Sequence, residues 1–499
     1  MSIPARCRVG AACSAKSNDR QSIGVTTMPA DNNLDLVIRN ADVVTASDRF
    51  RCDIGVRGGR IVALGHDLPP AASEIDATGL LALPGGVDGH CHLDQPMPDG
   101  MRMADDFFTG TRAAACGGTT TVIPFAAQEK GASLKAAVDD YHRRADGRAV
   151  IDYAFHLIVA DPTPAVLQDE LPSLIRQGYS SFKVYMTYDD LKLSDREMLS
   201  VLDVARQNNA LVMVHAENAD CISWLTDKLV GQGRIAPRFH ALARPDAVER
   251  EATHRAITFA ELVDVPILIV HVSGKEAIEQ IRWAQGRGMK ILAETCPQYL
   301  YLTAEDMGMG GDDGYEGAKC VCSPPPRDPE NQAAVWRALT NGVFSVFSSD
   351  HAPFNYDDPE GKKLGGTAQP FDHIPNGVPG IETRLPLLFD GVARGKLSLH
   401  QFVELTSYRP AKIYGLYPRK GTIAVGADAD IVLWDPTRKV RIANANLHHA
   451  VDYTPYEGIE VTGWPMTTFS RGELIVRNGE YLEPAAGRGK FLEAGQPEI

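Results

Sequence analysis

Pro84-Gly-Gly-Val-Asp88-Gly-His90-Cys-His92 is the stretch on which the reading of this chain turns. It ends an apolar run that begins at Leu81, and it places two histidines two residues apart. In a β-strand, residues i and i+2 project to the same face. His90 and His92 therefore present two imidazoles side by side, the beginning of a metal site. Alone, a His-x-His pair is weak evidence, because most such pairs in unrelated sequences are incidental. Its weight depends on the rest of the chain.

From Leu81 onward, apolar or β-rich runs recur, most of them followed by a longer helical stretch. They are Leu81–His92, Thr119–Ala127, Val150–Val159, Tyr179–Met186, Ala210–His215, Pro266–Val272, Lys290–Thr295 and Val343–Asp350. Such alternation predicts an α/β fold, a TIM-like (β/α)8 barrel with a parallel sheet. The helical intervals agree. Ser194–Asn208 carries Met198, Val201, Leu202, Val204 and Ala205 at helical spacing behind a Ser194/Glu197 capping-box signature. Lys275–Arg287 and Pro329–Thr340 read the same way.

Both ends of the chain look different. Asp35-Leu-Val-Ile, Asp42-Val-Val-Thr, Asp53-Ile-Gly-Val and Arg60-Ile-Val-Ala-Leu are short strands broken by turn signals, as are Gly421-Thr-Ile, Asp430-Ile-Val-Leu-Trp and Glu473-Leu-Ile-Val. Neither set suffices for a sheet, so the two are expected to pair into one β-sandwich. The expected organisation is a disordered leader over 1–33, sandwich strands over 34–83, the barrel over 84–412, further sandwich strands over 413–480 and a tail over 481–499. The tail is expected to dock on a neighbouring subunit or to be mobile. Met28 is an alternative start of translation.

Composition narrows the function. The net charge of −14 is spread along the chain rather than gathered in a block, which argues against a nucleic-acid partner. No run approaches the length of a membrane span, and the first residues lack the apolar core of a signal peptide. Nine cysteines without regular spacing suggest reduced thiols in the cytoplasm.

The strand ends give the His-x-His pair its weight. Val212-Met-Val-His215, Ile267-Leu-Ile-Val-His271 and Phe347-Ser-Ser-Asp350 each finish a strand on a residue able to bind metal. Barrel active sites are built at that end of the strands. A buried histidine with a hydrogen-bond partner explains any one of them, but four strands ending this way make coincidence a poor account. The His and carboxylate donors suit zinc or a similar divalent ion. Lys183, in Ser181-Phe-Lys-Val-Tyr-Met, sits inside a strand and points inward. A buried ammonium is costly, so Lys183 is either salt-bridged or a neutral amine that has captured carbon dioxide.

Together these motifs resemble the amidohydrolase superfamily and, within it, the dihydropyrimidinase/D-hydantoinase family of cyclic amidohydrolases. Further motifs carry the resemblance: Ala104-Asp-Asp-Phe-Phe-Thr-Gly-Thr-Arg112, Gly117-Gly-Thr-Thr-Thr, Phe182-Lys-Val-Tyr-Met-Thr-Tyr188, His215-Ala-Glu-Asn218, Glu294-Thr-Cys-Pro-Gln-Tyr-Leu300, Cys322-Ser-Pro-Pro325, Ser348-Ser-Asp-His-Ala-Pro353 and Ile374-Pro-Asn-Gly377. It runs from about Leu34 to about Glu480. The resemblance implies two divalent metal ions, zinc by expectation. One is bound by His90, His92 and Asp350 and the other by His215 and His271. Lys183, as N6-carboxylysine (a carbamate derived from carbon dioxide), bridges them. It also implies a hydroxide shared by the two metals, Asp350 as general base and Tyr188 as donor to the developing oxyanion. Ser323 and Asn376 would hold the ureide edge of the substrate largely through main-chain groups, which makes Ser323→Ala a mild change. The implied reaction opens dihydropyrimidines or 5-substituted hydantoins to N-carbamoyl amino acids, in a homotetramer.

Other residues read as structural. Asp88 is expected to orient the site from behind, and His351 and His240 to pack. Glu294 and Cys296 have no ligand role. The loop Leu93-Asp-Gln95-Pro-Met-Pro98-Asp-Gly departs from the family pattern, which has methionine at Gln95 and a bulky apolar residue near Pro98 and Asp99. Pro326 replaces a commoner leucine. A more polar pocket for the ring substituent, or one shaped for another ring, is expected. The alternatives are a cyclic imide hydrolase, an allantoinase-like ureidase, which would lack the Tyr188 contact, and a non-enzymatic scaffold, which would have lost metal ligands.

Overall fold

The computed structural model describes residues 33–98, 100–311, 314–483 and 486–499. Met28, Asp99 and all but the last residue of the expected leader lie outside them. The middle of the chain is a ring of parallel strands, β1 Gly86–Cys91, β2 Thr119–Ala127, β3 His156–Ile158, β4 Ser181–Tyr185, β5 Leu211–His215, β6 Ile267–Ile269, β7 Ile291–Thr295 and β8 Val346–Phe347, paired in that order. A two-residue strand, Asp152–Tyr153, precedes β3 and pairs with β2. The ring is drawn closed where Cys91 bridges His351 in parallel. There the Asp350 N–H reaches the His90 carbonyl at 2.8 Å and the His92 N–H reaches the His351 carbonyl at 2.7 Å.

Period-two alternation assigns each strand residue to a side. Val212 and Val214 of β5 belong to one apolar cluster with the helical residues Met198, Val201 and Ala205. Leu211 and Met213 belong to another, with Ile123, Phe125, Leu268 and Val346 from the neighbouring strands. His215 follows the inward parity of Leu211 and Met213. On β4, Phe182 and Val184 pack outward while Tyr185 packs inward, so Lys183 points into the barrel. The helix Asp195–Asn208 starts at Ser194 with the reciprocal Ser194/Glu197 capping box and stops at Asn209, whose φ of 51° ends the helical turn.

The chain ends form a nine-stranded, mainly antiparallel sheet. Leu81–Pro84 is its joint, with Leu34–Val44 on one side and Ile431–Arg441 on the other. The run Leu81–His92 is therefore two strands, not one. The break falls at Gly85, where a Cβ would lie 2.0 Å from Thr120 Oγ1, so only glycine lets the chain leave one sheet for the other. Gly421-Thr-Ile forms no strand. Glu460–Ser470 does, although Gly463 and Pro465 interrupt its pattern; the bulges between it and Ile431–Arg441 accommodate them.

The tail packs on this chain's own barrel. The Tyr153 N–H reaches the Lys490 carbonyl, the Leu492 N–H returns to the Tyr153 carbonyl, and the Phe491 ring packs against His142, Phe155 and Tyr179. Among the described residues all seven cysteines are free, and no helix is long and apolar enough to cross a membrane.

Candidate metal centre and barrel mouth

The barrel brings His90, His92, Lys183, His215, His271 and Asp350 to one place at the C-terminal ends of β1, β4, β5, β6 and β8. All six are buried. His90, His92 and Asp350 each offer a donor atom within 4.8 Å of the others. Asp350 Oδ1 lies 3.2 Å from His90 Nε2 and 3.6 Å from His92 Nε2. On the other side, His271 Nε2 faces His215 Nδ1 at 2.8 Å. Lys183 joins the two groups, with its Nζ 2.7 Å from His90 Nε2.

Nitrogen faces nitrogen in two of these contacts, each able to share one proton between two lone pairs, a place a cation can take instead. Burial drives the His90 and His271 pKa values well below the usual range and lowers that of His215. Neutral imidazoles are what metal ligation requires. Burial also brings the Lys183 amine down to about 8, and its surroundings are the rings of Phe125 and Tyr185, at 4.6 and 5.0 Å. Burial works to raise the Asp350 pKa, but His90, His92 and His271 outweigh it and hold the carboxyl below the usual range. The His90, His92 and Asp350 donors suit a divalent ion.

The outward ring nitrogens of His90, His215 and His92 are held from behind. Glu294 Oε1 is 2.7 Å from His90 Nδ1 and also accepts the His271 backbone N–H. Glu217 Oε2 is 2.8 Å from His215 Nε2. Burial works against the Glu217 carboxylate, yet Arg244, donating at 2.6 Å, brings its pKa down to about 2. Asp88 accepts the Ser349 backbone N–H at 3.0 Å and so fixes the turn that carries Asp350.

Tyr188 and Ser323 lie beside the metal centre, on the His215 side. The Tyr188 ring lies 5.3 Å from that of His215 and 5.5 Å from the Arg244 guanidinium. Burial pushes its hydroxyl up to about 12, with a hydrogen bond to Ser323 opposing the rise. The Asn376 side-chain oxygen is buried without a partner. His240 accepts no metal role here: its Nε2 meets the Cys322 carbonyl at 3.0 Å and Ser323 Oγ at 3.3 Å, supporting the segment that carries Ser323. His351 Nε2 meets Asp105 at 3.1 Å.

The amidohydrolase family profile matches residues 81–475, and the urease alpha-subunit N-terminal domain profile matches residues 7–81. A D-hydantoinase of Ralstonia pickettii is 46% identical over 462 residues, covering 92% of this chain and 99% of the relative. A solved D-hydantoinase superposes with a TM-score of 0.90 at 45% identity, covering 93% of this chain and all of that one. The dihydropyrimidinase of Brevibacillus agri NCHU1002 gives 0.89 at 44% identity, covering 93% and 99%. The chain belongs to the amidohydrolase family, in its D-hydantoinase/dihydropyrimidinase group.

In this amidohydrolase the sequence left several supporting groups without a role. Glu217 and Glu294 stood in quoted motifs with no partner to give them meaning. Arg244 lies outside those motifs and reaches the site only through the fold. Gln95, expected in the loop that lines the pocket for the ring substituent, turns its Oε1 to His92 Nδ1 at 2.7 Å. A glutamine carbonyl bonds a ring N–H that a thioether would leave weakly paired.

Proposed function

We propose that this chain opens the ring of 5-substituted hydantoins and dihydropyrimidines at the amide bond, giving N-carbamoyl amino acids. The observation that carries the reading is the set of histidine ring nitrogens turned to one point around the buried Lys183. His90, His92 and Asp350 would hold one divalent ion, and His215 and His271 a second. Lys183 would bridge them after its amine adds to carbon dioxide and releases a proton. Zinc is the proposed metal. Bound there, two such ions would acidify water to near neutrality and polarise a carbonyl.

The chain's own groups do the rest. Asp350 takes a proton from the attacking water and delivers it to the ring nitrogen as the C–N bond breaks. Gln298 steadies the other oxygen of that carboxylate at 3.3 Å. Tyr188, protonated at neutral pH, donates to the carbonyl oxygen as it gains charge. The free Asn376 oxygen and the Ser323 segment receive the ureide edge. The barrel unit is taken as residues 84–412, and a cytoplasmic homotetramer is the proposed working form.

The test is turnover of hydantoins, dihydrouracil and succinimide by protein grown with added zinc and analysed for metal. The expected outcome is two ions per chain and release of N-carbamoyl amino acids. Turnover confined to succinimide would move the assignment to a cyclic imide hydrolase, and fewer than one ion per chain to a scaffold.

A further inference from the structure

Four imidazoles face the proposed metals, and their outward nitrogens are treated unequally. Behind His90 stands the carboxyl group of Glu294, and behind His215 the carboxylate of Glu217. The outward Nδ1 of His271 is buried with no partner. Behind His92 stands a neutral amide, Gln95. His92 is also the least deeply buried of the four, at 9% exposure against 2% or less for the others.

Backbone anchors aim Gln95 at this ring. The Tyr141 hydroxyl donates to the Leu93 carbonyl, and the Asp94 N–H donates to the Asp105 carbonyl at 3.0 Å. Arg144 clamps both the carbonyl and the carboxylate of Asp94, whose φ of 47° turns the chain. One residue later, the Gln95 side chain points back under β1. A glutamine oxygen can only accept, so it holds the proton on His92 Nδ1 and leaves Nε2 free to bind. An amide supplies this orientation without the negative charge that a carboxylate adds to ligand basicity.

We propose that Gln95 is a positioning residue for His92, tying the loop that begins at Leu93 to the metal site formed with His90 and Asp350. This rests on the metal-site reading above. Its consequence is that this site, and not the His215/His271 site, depends on the loop. Loop movement that withdraws Gln95 loosens one ion and spares the other.

The test is stepwise removal of zinc or cobalt from the holoenzyme by a chelator, followed by metal analysis and cobalt absorption spectra. For Gln95→Met, one ion is expected to leave about 10 to 100 times more readily than in the wild type, with the second unchanged. Gln95→Glu keeps an acceptor and adds charge, so it is expected to retain that ion at least as well as the wild type. The proposal is overturned if Gln95→Met, folded by circular dichroism, releases both ions as the wild type does, or if both ions loosen equally. Wild-type protein that holds no pair of ions would instead overturn the metal-site reading.

Discussion

Two buried lysines, one at the barrel mouth and one beneath the barrel, show how surroundings turn one side chain to opposite uses. Lys183 at the mouth meets an imidazole nitrogen and two aromatic rings, and burial brings its pKa down to about 8. Lys420 meets three aspartates, Asp152 and Asp430 at 2.7 Å and Asp428 at 3.1 Å. Burial opposes its charge too, but the carboxylates win and raise its pKa. Asp152 belongs to the barrel and Asp430 borders the end sheet, so Lys420 rivets the two units together. The lesson is that burial alone does not decide a lysine's chemistry. Carboxylates in direct contact do: Asp350 and Glu294 act on Lys183 only from a distance and burial outweighs them, whereas Lys420 is ion-paired to its aspartates.

The comparison can be broken most directly at the mouth. Lys183→Met should cost roughly four orders of magnitude or more in kcat/KM, because the bridge between the proposed ions is lost. The folded state should survive, since no carboxylate is left stranded. Steady-state kinetics and thermal unfolding read the two effects separately. Full activity in that variant would falsify the bridging role.

Lys420→Met should do the reverse. It leaves Asp430 without its cation and Asp152 and Asp428 with only Arg471 and Arg419, and should destabilise the fold by about 3 kcal/mol. Denaturant unfolding measures this, and the fraction that remains folded should keep near-normal kcat. A variant as stable as the wild type would remove the rivet.

The smallest effect is a difference in sign with pH. In metal-free protein, the folded chain holds Lys183 neutral above about 8, while the unfolded chain keeps that proton up to about 10.4. Stability from this group therefore rises as pH climbs through that window and is flat below it. Lys420, with its pKa raised in the fold, contributes stability that is fully present below about 10.4 and is lost as pH rises beyond. Wild-type minus variant stabilities should rise between about pH 8 and 10.4 for Lys183→Met, and should stay flat there and fall only at higher pH for Lys420→Met. Parallel slopes would mean the two environments do not differ as the geometry indicates.

The sequence by itself determined the barrel class, the pairing of the chain ends and which residues end the strands. These follow from local rules: period-two strands, period-3.6 helices, and a polar residue at the end of each apolar run. His90, His92, His215, His271 and Asp350 stood out because apolar strands ended on them. Lys183 stood out because it interrupts one.

Only the tertiary structure decided what stands behind those residues. The split at Gly85 depends on Thr120 of another strand. Gln95, Glu217, Glu294 and Arg244 acquire their roles from partners between 2 and 204 positions away. For Gln95 the partner is near in sequence, yet which way the side chain turned rested on Tyr141, Arg144 and Asp105. Strand periodicity tells which face a residue occupies. The hydrogen bond it makes there depends on what the rest of the chain brings within about 3 Å, and that is settled only when the barrel closes.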